Sequence, residues 1–263
     1  MMATAMMIMA NETRKGLIIT WTYKFNWFVG AFMLSFIFVG IGFFMGDGEL
    51  ERERLAPALL GYLIWFYALE AISNMSWTLR EETNTGTLEQ MCMSPLSPGL
   101  LMIGRTFSTL LSTSVMVALA GISLMLLLDI SLPLRIEAVP AFMLTMAGLY
   151  GFGYIIGGLT LIFKHTESFA NLIQNALLFL NGAFLPVDRL PPALEAIALL
   201  LPSTQGIIVL RRIILDNASL AAVWNDGSLI YLVLHSVVFF LGGLMIFRYC
   251  EHIARKRGSL GQY

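Results

Sequence analysis

The chain has 263 residues, 57% of them apolar and only 13% charged, with a formal net charge of −1. That charged share is about half the usual for a soluble domain, and uncharged runs recur at the ~20 residues needed to cross a hydrocarbon core. The composition therefore points to a polytopic helical membrane protein. A charge near zero gives no reason to expect a nucleic-acid partner. Two cysteines, Cys92 and Cys250, make no disulfide framework, and three scattered histidines make no metal cluster.

In chain order, the opening MMATAMMIMANETRK places its charges after a short apolar patch, the reverse of a signal peptide, and reads as mature sequence. Residues 11–26 mix Arg14, Lys15 and Lys24 with Leu17, Ile18, Trp21, Tyr23 and Phe25. This combination predicts a helix lying in the membrane interface, or the ordinary interfacial flank of a span. A first span covers 27–45 and a second 55–79, the latter containing Glu70.

The stretch from Arg80 to Pro98, REETNTGTLEQMCMSPLSP, is a short polar interruption between two apolar runs. Thr87 and Gln90 have the spacing of a capping box that opens a brief helix over 87–93, which Pro95 ends by constraining Ser94. Ser97 then caps a new helix with Pro98 in its first turn. A capped, stiff helix between two spans is either a rigid handle for something outside the membrane or an interfacial turn with no partner.

The third span covers 99–128, with Arg105 early enough to snorkel toward the headgroups. The fourth covers 138–163, Lys164 to Glu167 turn the chain, and a fifth span covers 168–185. The segment 186–212 is apolar but carries Pro186, Pro191, Pro192 and Pro202, which break helices, so it is expected as a re-entrant or interfacial helix pair. A looped stretch, 213–226, leads to a sixth span over 227–247. With both termini on one side, ten of the 16 basic residues fall on that side, which the positive-inside rule makes cytoplasmic.

Catalytic signatures are missing: there is no Gly-Lys pair for a phosphate loop, no His-Glu-x-x-His, no Gly-x-Ser-x-Gly and no Cys-x-x-Cys. Gly153 and Gly157, and likewise Gly242 and Gly243, read as small-residue packing faces. Glu70 shares a helical face with Asn74 and Trp77, and an intramembrane carboxylate is either functional or paired within the bundle. Asn171, Gln174, Asn175, Leu178 and Asn181 recur at helical spacing in the fifth span as a polar stripe. Interhelical amide bonds contribute only about 0.6–2 kcal/mol each, so four amides suggest the lining of a path more than glue.

Glu81-Glu82, Gly86-Thr87-Leu88-Glu89-Gln90 and Ser94-Pro95-Leu96-Ser97 together resemble the cytoplasmic loop of ABC type-2 transporter permeases. Asn181-Gly182-Ala183-Phe184-Leu185-Pro186, then Leu190-Pro191-Pro192, then Pro202-Ser203-Thr204 up to Arg211, resemble the region after the fifth span in the same family. The family often has Ser-Gly in place of Asn181-Gly182 and Phe-Pro in place of Leu185-Pro186. The resemblance covers nearly the whole chain.

It implies a single transmembrane permease domain over 1–263: an all-α membrane protein of six transmembrane helices. To these it adds an N-terminal interfacial helix, a cytoplasmic coupling helix and an external re-entrant helix pair. The coupling helix, 87–93, would dock on a separate ATPase through Glu82, Gly86, Thr87, Leu88, Glu89, Gln90, Met91, Ser94 and Pro95, with 164–167 as a smaller second contact. Two ATPase chains and two permease chains, identical or related, would form the complex in a prokaryotic inner membrane, with both termini cytoplasmic. ATP and magnesium would sit in the ATPase, and this chain would bind no cofactor and hold no catalytic residue. Substrate would pass outward beside Tyr67, Glu70, Asn74, Asn171, Gln174, Asn175, Leu178 and Asn181, under an outer gate that includes Phe184, Pro186, Pro191 and Pro202.

An amide-rich, aromatic lining suits an amphiphilic drug or lipid-like molecule, with polysaccharide or glycolipid export as the rival within the family. An ion-coupled transporter acting alone would need paired charges in facing spans or an internal repeat, and neither is present. A membrane-embedded enzyme would need a cluster of ionisable groups that Glu70, His165 and His235 are too dispersed to supply.

Overall fold

A computed structural model describes residues 2–46, 52–93, 98–163 and 166–256. Helices account for all the regular structure among them: α1 Met2–Thr22, α2 Lys24–Met45, α3 Arg52–Asn84, α4 Thr87–Met93, α5 Pro98–Leu128, α6 Ala138–Phe163, α7 Glu167–Leu180, α8 Pro192–Leu200, α9 Thr204–Ile214, α10 Leu220–Asn225 and α11 Ser228–Lys256. A single 3-10 turn, Val187–Arg189, precedes α8. Helices α2, α3, α5, α6 and α11 are each long and apolar enough to cross a membrane. The protein is therefore an integral membrane protein. The link from α4 to α5, with Ser94 and Pro95, the turn at Lys164 and His165, and the side chains of Leu88 and Glu89 lie outside what is described.

The expected fifth span is shorter than its sequence suggested. Helix α7 stops at Leu180, because Asn181 turns its side-chain oxygen to the Ala183 N–H (2.9 Å) and Gly182 takes φ +82°. At 1.5 Å per residue its 14 residues reach only ~21 Å, less than the ~30 Å of a hydrocarbon core. The prolines act as expected in the next segment. Pro192 opens α8, and Pro202 lies in the break before α9, where the pair bends by 85°. The stretch expected as loop before the last span contains α10, capped by Ser219, whose hydroxyl accepts from the Ala222 N–H at 3.2 Å.

The N-terminal helix is also longer than the interfacial segment expected over 11–26. It begins by Met2 because its early turns lie on α5: a Cβ on Gly104 would stand 3.1 Å from Glu12 and 3.3 Å from the Met9 backbone. Further along the seam, the Thr20 and Ser112 hydroxyls meet at 2.6 Å, and a Cβ on Gly16 would strike Ser108. Gly104, Ser108 and Ser112 recur every four residues, so one small-residue face of α5 receives α1.

Helix α6 carries glycines on two faces. Gly153 and Gly157 face α3, where added Cβ atoms would come within 2.8 Å of the Ala71 carbonyl oxygen and 3.2 Å of Leu79. Gly151 and Gly158 face α11, and the closest approach is there: a Cβ on Gly243 would sit 2.0 Å from the Gly151 carbonyl oxygen. Gly242 points to open space, so only one of that glycine pair packs. Lipid tails provide no hydrophobic drive between helices, so close backbone approach of this kind supplies the van der Waals contact that holds the bundle. The outward face of α2 keeps Phe28, Phe32, Phe36 and Phe44 exposed, as suits a lipid-facing helix.

Gly243→Ala should therefore destabilise the α6–α11 pair by about 1–3 kcal/mol through overpacking. Thermal unfolding in detergent should show a lowered midpoint for Gly243→Ala and none for Gly242→Ala.

Candidate functional site

The end of the bundle that carries α4 is built around Arg105. At ~50 Å, the 33-residue helix α3 is longer than a hydrocarbon core, so its last turns, with Glu81 and Glu82, extend past the apolar segment. Gly86 adopts φ +71°, the left-handed conformation that glycine takes most readily after a helix, and this turns the chain from α3 into α4. The Arg105 guanidinium of α5 donates to Glu82 Oε1 of α3 at 2.5 Å and to Glu12 Oε2 of α1 at 3.3 Å. The other Glu82 oxygen accepts from the Thr87 hydroxyl at the start of α4. One arginine, two carboxylates and a hydroxyl thus join four helices. Arg105 is committed to this network instead of snorkelling, and the Thr87 hydroxyl is turned to Glu82 instead of closing a capping box with the exposed Gln90. Thr85 supports the same turn, its hydroxyl 2.9 Å from that of Thr87.

Beside this network a cavity of about 360 Å³ opens between α1, α3 and α5, with Trp27 of α2 at its edge. Glu70, Asn74 and Trp77 all line it, as their helical spacing requires, together with Trp27, Glu12, Lys15 and Glu81. Asn74 Oδ1 accepts from the Thr109 hydroxyl at 3.1 Å. Tyr67, one turn earlier, is packed into the bundle. Its hydroxyl donates to Ser114 at 3.0 Å, and its ring meets Phe142 edge-on.

The polar stripe of α7 divides in the folded chain. Gln174 is buried and donates to the Ser73 hydroxyl at 2.8 Å, while its backbone carbonyl accepts from Trp65 Nε1 at 2.8 Å. Leu178 and Asn181 are buried too, and the Asn181 amide nitrogen has no hydrogen-bond partner among the described residues. Asn171 and Asn175 face outward, beside Leu172 and Phe179. The residues expected along one path therefore lie on different faces within a single chain: Glu70 and Asn74 at the cavity, Gln174 against α3, Asn171 and Asn175 on the surface. The start of α7 is held by Thr166, whose hydroxyl lies 2.7 Å from that of Thr160 on α6.

At the opposite end the segment after α7 is tied down by arginine. Arg211 donates to the Pro57 carbonyl of α3 at 2.6 Å and to the Ala183 carbonyl at 2.7 Å. Gly61 lets Ala183 come this close, since a Cβ there would stand 2.5 Å from its Cα. Phe184 joins Phe38 and Tyr62 in an aromatic cluster, at centroid distances of 6.1 and 5.8 Å. Pro186 and Pro191 precede the 3-10 turn and α8. Arg135 donates to the Ile213 carbonyl at 2.8 Å, satisfying the C-terminal end of α9. Arg212 pairs with Asp226 after α10. That guanidinium, with the Ser228 N–H, holds the Asp226 carboxyl down to about 2.

The roles of Glu12, Arg105 and Arg211 escape sequence reading. Each sits in an apolar or mixed segment whose spacing gives no sign of its partner, and each partner lies on a distant helix. The Arg105 and Arg211 positions, basic residues inside otherwise apolar helices, were the available signal.

An all-helical bundle with long apolar spans, a short polar-loop helix and a bent helix pair is the architecture of a polytopic membrane protein. Residues 48–245 match the ABC-2 family transporter proteins, and the chain belongs to that family. It is 30% identical over 112 residues to Nodulation protein J of Rhizobium leguminosarum bv. trifolii, covering 42% of each chain. It is 26% identical over 200 residues to the inner membrane transport permease YhhJ of Escherichia coli (strain K12), covering 70% of this chain and 52% of that protein. The YhhJ protein of Shigella flexneri matches to the same extent. The chain spans about half the length of these relatives.

Two outcomes follow at the two ends. Arg105→Met leaves Glu12 and Glu82 facing each other without their cation. It should cost about 1.5–3 kcal/mol, the range for hydrogen bonds to charged groups, and should expose the α1–α5 seam to faster hydrogen exchange. At the other end, Asp226 titrates lower in the folded chain than the ~3.9 of an unfolded aspartate. Its contribution to local stability is present above about 4 and is lost as the pH falls through about 2. Protection of the amides in α10, corrected for intrinsic exchange, should fall across that window. Asp226→Asn should already show the lower protection at neutral pH.

Proposed function

We propose that this chain is the membrane subunit of an ATP-powered exporter and that α4 is the element on which a separate ATPase acts. Family membership supports an ATPase partner in general. The observation that carries the assignment to α4 is the Glu82 carboxylate, which ties Thr87 of α4 to Arg105 of α5, and through it to Glu12 of α1. A short helix linked by charge-assisted bonds to three others moves as one body with them. A loop without such ties would absorb displacement before it reached the spans. In this reading ATP and magnesium are bound by the partner, and ATP hydrolysis takes place there.

Two permease chains and two ATPase chains form the working complex, with a symmetry axis that lets the bundles rock against each other. Asn171 and Asn175 face outward on α7, the face a second permease would cover, so the path for cargo is completed between two chains. The segment held by Arg211, with Phe184, Pro186, Pro191 and Pro202, forms the outer gate. The cargo is amphiphilic or hydrophobic and moves outward. Both termini face the cytoplasm, and the membrane is the bacterial inner membrane, as the name of YhhJ states for that protein. Leu88, Glu89 and Gln90 supply the docking surface, with Ser94 and Pro95 ending it; Met91, expected there too, is instead buried in the cluster of Met75, Leu79 and Met102 and anchors α4 to the bundle.

Leu88→Asp places a charge where the ATPase groove must receive an apolar residue. Co-expressed with the cognate ATPase, this variant should lose both co-purification and substrate-stimulated ATP hydrolysis, while inserting into the membrane normally. Wild-type pull-down and activity in that variant would refute the assignment of α4.

A further inference from the structure

The cavity between α1, α3 and α5 has a chemistry of its own. Four carboxylates line it, Glu12, Glu70, Glu81 and Glu82, against two cations, Lys15 and Arg105. Arg105 is already shared by Glu12 and Glu82. Glu70 makes no hydrogen bond or salt bridge with any described residue, although it is well inside the apolar part of α3. Trp27 and Trp77 line the same cavity, and Trp77 is 63% exposed, so the rim is open. The volume, about 360 Å³, falls in the range of roughly 300–1,000 Å³ typical of small-molecule sites.

From this juxtaposition of an unpaired carboxylate with two indoles at an open, partly apolar cavity, we propose that the site binds a monovalent organic cation carried on an apolar body. A carboxylate at this depth is held neutral by a proton or met by a positive charge, and a bound cation exchanges for that proton. Indole faces favour weakly hydrated ammonium and phosphonium groups over small hydrated ions. An anion is disfavoured by the excess of carboxylate, and a neutral amphiphile gains nothing from the charge that Glu70 can carry. Asn74 holds its place through Thr109, leaving Glu70 as the charged contact and the tryptophans as its walls. The same chemistry could come from the ammonium headgroup of a bilayer lipid or from a soluble amphiphilic amine. As a cargo site, it rests on the exporter reading and narrows that cargo to cations. As a binding site, it stands without that reading.

The test is equilibrium binding to the full chain in phosphatidylglycerol nanodiscs, without ATPase or nucleotide and with empty nanodiscs subtracted. The probe is tetraphenylphosphonium, and its counterpart of like shape and opposite charge is tetraphenylborate. Saturable binding is expected for the cation alone. Glu70→Gln should weaken it by about tenfold or more, equivalent to ~1.4 kcal/mol, and Trp77→Ala by about threefold, in line with an exposed cation–π contact. Asp188→Asn, in the exposed turn at the far end, should leave it unchanged.

Trp77 is largely exposed, so its variant tests the site even if Glu70→Gln assembles poorly. Introducing phosphatidylethanolamine should weaken the probe if a lipid headgroup is the natural occupant, and leave it unaltered if a soluble amine is. Equal binding of the two probes, or cation binding untouched by both variants, would overturn the proposal. Because no nucleotide or ATPase is present, binding can fail while export stands, and it can succeed while the ATPase pull-down fails.

Discussion

The Arg105 guanidinium sits where α1, α3 and α5 meet, and the architecture of that end depends on how its charge is met. A single arginine in a mostly apolar helix is costly to desolvate unless paired with good geometry. Two carboxylates from two other helices meet it, and the surplus negative charge is met in part by the Thr87 hydroxyl. This arrangement explains why α1 lies along α5 and why the short helix after Gly86 has a defined position. The hydroxyl and glycine seam between α1 and α5 adds close packing to the same contact, so charge and shape fix one placement together.

The two ends of the bundle use arginine differently. At the α4 end the partners are carboxylates, which makes the joint ionic and places it beside a cavity with further acidic groups. At the other end Arg135 and Arg211 donate to backbone carbonyls: Ile213 at the end of α9, Ala183 in the turn after α7, and Pro57 in the second turn of α3. The Ile213 and Ala183 carbonyls lie at or beyond a helix C-terminus, where intrahelical donors run out, and need a donor where water is scarce. Arg211 thereby stabilises an irregular backbone that could not otherwise persist at depth, and the aromatic cluster of Phe38, Tyr62 and Phe184 packs against it. The first end has the character of a joint, and the second of a brace.

Between the ends, packing is set mainly by glycine. Helix α6 is flanked by α3 and α11, and each contact is closest where one helix has no side chain. Large residues are turned outward on α2 and α11, where lipid accepts them without cost. Large side chains such as Tyr62, Tyr154, Phe38 and Phe247 fill the bundle between these close approaches, and the reliance on glycine at the crossings follows from the absence of a hydrophobic drive between helices in lipid.

Hydrophobic run length and proline position by themselves determined the long spans, the short helix at Thr87–Met93 and the broken pair at Pro192–Ile214, because these are properties of consecutive residues. Helical spacing likewise put Glu70, Asn74 and Trp77 on one face, and they share one cavity. Spacing could not decide what any face meets. The Gln174 and Asn181 amides turned inward and those of Asn171 and Asn175 outward, although all four belong to one sequence stripe. The end of α7 at Leu180 depended on a side chain bonding its own backbone and on Gly61 admitting Ala183 from another helix. The partners of Arg105 lie 93 and 23 residues away along the chain. Only the tertiary structure could choose them, because charge pairing acts through space, and the choice depends on which helices pack side by side.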